Sequence, residues 1–229
     1  MVAIDSAQDF TESRQTQLRQ SESGHTATIV MFALLGSALL VASSVLFDLG
    51  FGSGWHVAAE MVARFSLFLF VAAMSVEPLA RLLPFTAVKS IGRERASLTM
   101  AFAASSGVAL LCVIAPSQFG GEAMSAPAVA YCILTGAILV VMLFSAHPAT
   151  ALGGDAPAWR AVQRISTSYF WIVFALTGME HLVGPHRPEN WYGFSLLLLV
   201  ATLLLRFADS FVAHWRDMAP KRGMAGKVA

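Results

Sequence analysis

The chain has 229 residues, of which 56% are hydrophobic and only 13% charged, with a mean hydropathy of +0.65 and a net charge of +1. An ordinary soluble domain carries about 25% charged residues, and no core of this size hides so much apolar surface, so a soluble globular domain is excluded. The near-zero charge offers no field for nucleic acid, which leaves membrane lipid as the medium that the composition fits.

In chain order, residues 1–26 are polar and of mixed charge (Asp5, Asp9, Glu12, Arg14, Arg19, Glu22), without the apolar run or small-residue cleavage site of a signal peptide. The expected state is a frayed tail, with a short amphipathic helix over 10–18 as the alternative. Six apolar stretches follow, near 27–47, 57–79, 97–115, 126–146, 164–183 and 191–213. A bilayer core of about 30 Å and a rise of about 1.5 Å per residue ask for spans of about 20 residues, and each stretch has that length. Turn chemistry marks the breaks: Gly50, Gly52 and Gly54; Pro78 and Pro84; Pro116, Gly120 and Gly121; Pro148, Gly153, Gly154 and Pro157; Pro185 and Pro188. The expected fold is all-α, a six-transmembrane-helix bundle with short loops over 27–213. The tail 1–26 and a basic tail over 214–229 flank it.

Orientation follows from the cationic residues, because cytoplasmic loops carry excess Lys and Arg. Arg14, Arg19, Arg81, Lys89, Arg93, Arg95, Arg160, Arg164, Arg216, Lys221, Arg222 and Lys227, twelve of the 15, fall on the two tails and on alternate loops. Arg187 alone lies on an opposite-side loop, with Arg64 and Arg206 inside spans. Both termini are expected to be cytoplasmic.

Ionisable residues within spans are costly and mark pairing or function. Glu60 and Arg64, like Glu77 and Arg81, are four apart and so neighbours on one helix; Arg206 and Asp209 are three apart. Each set is expected to pair within its helix. At the opposite face Trp55, His56 and Glu60 open the second span, Met179, Glu180 and His181 close the fifth, and His186 follows, so topology brings imidazoles and a carboxylate to one surface. Such groups bind metals or ligate haem iron. His147 and His214 are expected to be interfacial side chains.

Cys112 and Cys132 leave a disulfide geometrically open; buried thiols acting as small hydrophobes are the expected state. The small residues Ala101, Ala103, Ala104, Ser105, Ser106, Gly107 and Ala109 let the third span approach a neighbour closely, or leave a shallow wall for a flat cofactor or lipid. No span contains the Lys of a retinal Schiff base, and no zinc-protease motif or phosphate-cradling loop is present.

The run Ala63-Arg64-Phe65-Ser66-Leu67-Phe68-Leu69-Phe70, continuing to Glu77-Pro78-Leu79-Ala80-Arg81, resembles the second span of the ferric-reductase-like transmembrane family. Arg93-Glu94-Arg95 leading into Met100-Ala101-Phe102, and Ala149 to Gly154 with Trp159-Arg160 before Tyr169, are similar to its later segments. The likeness covers about residues 27–213 and is nearest to the haem-binding membrane subunits of bacterial periplasmic methionine sulfoxide reductase systems. It implies a bacterial inner membrane, b-type haem between histidines of the third and fifth spans, and a quinone or a flavoprotein as electron donor. His181 matches the outer fifth-span histidine. The inner one falls at Ser168 or Gln163 and the third-span one at Gly107 or Val108, so a second axial ligand would have to be His56 or Met179.

Two functions are compatible with these residues: transmembrane electron transfer through a haem near His181, and a haem-free subunit that anchors or assembles a larger membrane complex with a protein partner. A third is a small transporter using Glu60, Arg64, Arg206 and Asp209.

Overall fold

The computed structural model describes residues 3–47, 53–83, 94–119, 123–146, 157–183 and 190–218, and every element among them is a helix. In chain order these are α1 (Ala3–Phe47), α2 (Ser53–Leu82), α3 (Arg95–Phe119), α4 (Ala126–Ala146), α5 (Pro157–Val183) and α6 (Asn190–Met218). Five of them, all but α5, contain stretches long and apolar enough to cross a membrane. The expected fifth span lies in α5, where Gln163, Arg164, Ser166, Thr167, Ser168, Glu180 and His181 dilute the apolar residues.

Three expectations about helix ends are corrected. α1 starts at Ala3, so the polar first segment is helical rather than frayed. Pro78 and Pro116, read as breaks, lie inside α2 and α3, which run on to Leu82 and Phe119. A proline near a helix end frees only one carbonyl of the ladder, and membrane helices accommodate that by local adjustment.

The residues divide into two compact units, Met1–Ala73 with Glu94–Phe170, and Met74–Arg93 with Trp171–Ala229. In the first, α1 packs chiefly on α3 and α3 on α4. Thr26 meets Ser97 at 2.9 Å and Ser37 meets Ser105 at 2.9 Å, so the contacts ascend together and α1 runs parallel to α3. Small residues four apart line this seam, Ala33 and Ser37 on α1 against Ser97, Ala101 and Ser105 on α3, all buried. Without side chains between them the two backbones come close, which is how helices associate where lipid is as apolar as the protein interior.

α2 presents a buried ridge at every fourth residue, Ala58, Val62, Ser66, Phe70, Met74 and Pro78, the i±4 row along which helices interdigitate. Ser66 on that ridge meets Ser105 at 2.8 Å. Three helices therefore join at one hydroxyl cluster. Ser37 donates to Ala33 O and Ser66 to Val62 O, each at 2.8 Å. Ser105 then holds the one remaining proton for two hydroxyl neighbours and donates to one of them at a time.

Beside this cluster, rings bridge the first unit in a row: Phe70 to Phe102 with centroids 5.1 Å apart, Phe102 to Phe170 edge-on at 5.0 Å, and Phe170 to Tyr169 at 5.2 Å. Tyr169 OH and Thr135 Oγ1 are 2.7 Å apart, and Gln163 Nε2 donates to Ser145 O at 3.3 Å, which pairs α4 and α5 antiparallel. Cys112 and Cys132 are buried free thiols, so the disulfide does not form.

In the second unit α5 and α6 pack antiparallel. Trp171 Nε1 donates to Leu199 O at 3.4 Å, and a Cβ on Gly178 would lie 2.9 Å from Leu196 Cγ. Glycine at 178 is what lets the two helices approach so closely. The polarity of α6 is reversed from that of a helix in water. Ser195, Leu199 and Thr202 are buried and Asp209 keeps 17% of its side chain exposed, while Leu197, Leu204, Phe207 and Phe211 are 63–65% exposed. α1 repeats the pattern, with Ser37 fully buried and Phe32 71% exposed.

Candidate functional site

His181 occupies the last turn of α5 and is exposed; its ring packs at a 45° tilt against Tyr192, at the start of α6, with centroids 4.1 Å apart. The antiparallel hairpin makes this contact, since residues near its turn face one another. Glu180 is exposed and Met179 is 54% exposed. At 100° per residue, Met179 and His181 point about 200° apart around α5, so the two cannot coordinate one iron. His56 is exposed near the start of α2, in the other unit. His186 and His147 lie outside the described residues. His214 is exposed near the C-terminal end of α6.

The other positions implied for haem offer no donor of the required kind. A side chain at Gly107 would meet nothing within 4 Å, so α3 does carry open space there, but Gly107 and Val108 have no ligating atom. Ser168 and Gln163 cannot replace an imidazole as haem ligands, and Gln163 is committed to Ser145 O. Among the described residues no group of three His, Cys, Asp or Glu gathers to hold a metal ion. Among the described residues of the second unit the two imidazoles, His181 and His214, stand at opposite ends of the α5–α6 hairpin, a donor set that does not fit a haem held between two axial ligands.

The charged residues are better organised. Glu60 and Arg64 pair within α2, as do Glu77 and Arg81, as their spacing predicts. Asp209 does what spacing could not indicate: it accepts from Arg81 at 3.3 Å across two helices, so Arg81 sits between two carboxylates. The expected pairing of Asp209 within α6 did not indicate this cross-helix link. The helix positions explain it, since Asp209 continues the row of buried Ser195, Leu199 and Thr202 and half-buried Arg206 at alternating steps of four and three. The Ser37, Ser66 and Ser105 cluster was likewise not foreseen, although Ala33 and Ala101, each four residues before a serine, were a readable sign of close approach.

Long helices with apolar exposed faces and hydroxyl-bearing or charged residues on their buried faces are those of a multi-pass membrane protein. Comparison with protein-family models, with curated proteins and with solved structures returns no match.

Proposed function

We propose that this chain is a six-span subunit of the bacterial inner membrane, both termini cytoplasmic, that anchors or assembles a larger complex without carrying haem. The reversed polarity of α6 is the observation that carries it. A helix that exposes Leu and Phe and turns Ser, Thr and Asp inward is stable against lipid and unstable against water. α5 serves as the sixth span, because the Arg160 and Arg164 side of the membrane and the Glu189 side alternate only if the chain crosses there. Aromatic residues at both ends of α6, Trp191 and Trp215, are 24 residues or about 36 Å apart, the separation of the two interfaces of a bilayer. The ferric-reductase-like resemblance fits as ancestry, with the haem ligands replaced.

Reporter fusions at residues 90 and 120 are expected to report opposite compartments, cytoplasmic for 90. Purified protein is expected to be colourless, with no Soret band and no α band on dithionite reduction. A Soret band that disappears in His181→Ala would overturn the haem-free reading and restore electron transfer through that residue. Placement of 90 and 120 in one compartment would overturn the six-span topology.

A further inference from the structure

Arg81, in the last turn of α2, is the most exposed member of the charge network that ties α2 to α6: its side chain is 57% exposed, against 34% for Glu77 and 17% for Asp209. A guanidinium carries five N–H donors. Nη2 gives one to Glu77 Oε1 and Nη1 gives one to Asp209 Oδ2 at 3.3 Å, which leaves three N–H on a group that is more than half exposed. The two bonds hold the plane of the fork before any ligand arrives, so little ordering remains for binding to impose. Depth is set by the spans. That of α2, Gly54–Leu82, has 29 residues and is about 43 Å long, the thickness of a bilayer with its headgroups. Helical side chains lean toward the N-terminus, which carries the Arg81 guanidinium back from the end of the span toward Asp209, to the level where lipid phosphates lie.

We propose that Glu77, Arg81 and Asp209 form a site for the headgroup of a zwitterionic aminophospholipid, a proposal that rests on the membrane reading above. The phosphate accepts from the remaining N–H groups of Arg81, a pairing for which the guanidinium fork is shaped. The ammonium, two carbons further along, donates to the carboxylates of Glu77 and Asp209, which flank the guanidinium at hydrogen-bond distance and whose oxygens each accept more than one bond. Charge decides the class of lipid. Glu77 and Arg81 on α2 with Arg206 and Asp209 on α6 make two carboxylates and two cations, all within about one turn of each helix. A set that holds both signs and sums to zero matches a headgroup that does the same, whereas anionic headgroups collect where about 4–8 Lys and Arg cluster. A choline headgroup brings the phosphate but has no N–H to donate.

The test adds phosphatidylethanolamine, phosphatidylcholine and phosphatidylglycerol of identical acyl chains to the full chain in detergent and reads the retained lipid by native mass spectrometry. Phosphatidylethanolamine is expected to bind about tenfold more tightly than either of the others, the worth of one charge-assisted hydrogen bond. Arg81→Lys keeps a cation between the two carboxylates but loses the fork, and its preference is expected to fall to about twofold or less. Glu77→Gln is expected to bring phosphatidylethanolamine down to the level of phosphatidylcholine. Glycerophosphoethanolamine, the same headgroup without chains, is expected not to displace the lipid at matching concentration. Equal binding of the three lipids, a preference for phosphatidylglycerol, or a preference unchanged in Arg81→Lys overturns the site. Displacement by glycerophosphoethanolamine overturns the lipid assignment in favour of a soluble phosphodiester. In protein that resists carbonate extraction each of these results leaves the membrane reading intact, whereas release by carbonate overturns the membrane reading and the site together.

Discussion

Phe102→Ala is expected to destabilise the detergent-purified protein more than any other single truncation, by about 2–4 kcal/mol. Phe102 is 1% exposed and is the middle ring of the row running from Phe70 to Phe170, touching one ring with its face tilted and the other edge-on. In soluble cores Phe→Ala costs about 3–5 kcal/mol, as lost transfer energy plus a cavity. In a bilayer the transfer part nearly vanishes because lipid is as apolar as the interior. What remains is the cavity, the lost dispersion contacts and two aromatic pairs of about 0.5–1.5 kcal/mol each. Phe32→Ala is the control: the same atoms are removed from a side chain 71% exposed on α1, and unfolding in a denaturing-detergent titration is expected to move little. Equal losses for the two variants would show that ring packing in the first unit contributes nothing beyond contact with detergent.

The second large effect is a contrast at one position. Ser105→Ala is expected to cost about 0.5–1 kcal/mol and Ser105→Leu about 3 kcal/mol or more. Removing the Ser105 hydroxyl leaves no buried donor stranded, because Ser37 and Ser66 keep their own carbonyl acceptors, Ala33 O and Val62 O. The loss is then that of one interhelical hydrogen bond, which in membrane proteins averages about 0.6 kcal/mol. Leucine meets a different obstacle. Ser37, Ser66 and Ser105 are all fully buried where three helices converge, and three added carbons can be accommodated only by spreading the helices. Similar losses from alanine and leucine would mean that the hydroxyl network, rather than close backbone approach, holds α1, α2 and α3 together.

How much of this was readable in advance differs from residue to residue. The Glu60–Arg64 and Glu77–Arg81 pairs formed as their spacing requires, because a four-residue step on a helix fixes the neighbour regardless of what surrounds it. Arg81 reaching Asp209 was not readable, because it joins residues 128 apart and depends on how α2 and α6 are placed. His181 was found by its position at the end of a span, but its partner, Tyr192, follows from the α5–α6 hairpin. Pro78 and Pro116 misled in the opposite direction. Read as breaks, they cost each helix only one backbone bond near its end, and α2 and α3 run on through them.

The presence of several long apolar segments, the membrane residence they imply and the distribution of cationic residues were determined by the amino-acid sequence alone, because each is a sum over about 20 neighbouring residues or a count at their ends. Which face of each helix is buried was decided only by the tertiary structure. In water an apolar stripe marks the inward side, but in a bilayer both sides are apolar, and hydropathy no longer distinguishes lipid from core. The inward faces of α1, α2, α3 and α6 are set instead by small residues, hydroxyls and charges whose partners, Ser37 with Ser105 or Arg81 with Asp209, are brought together only by packing.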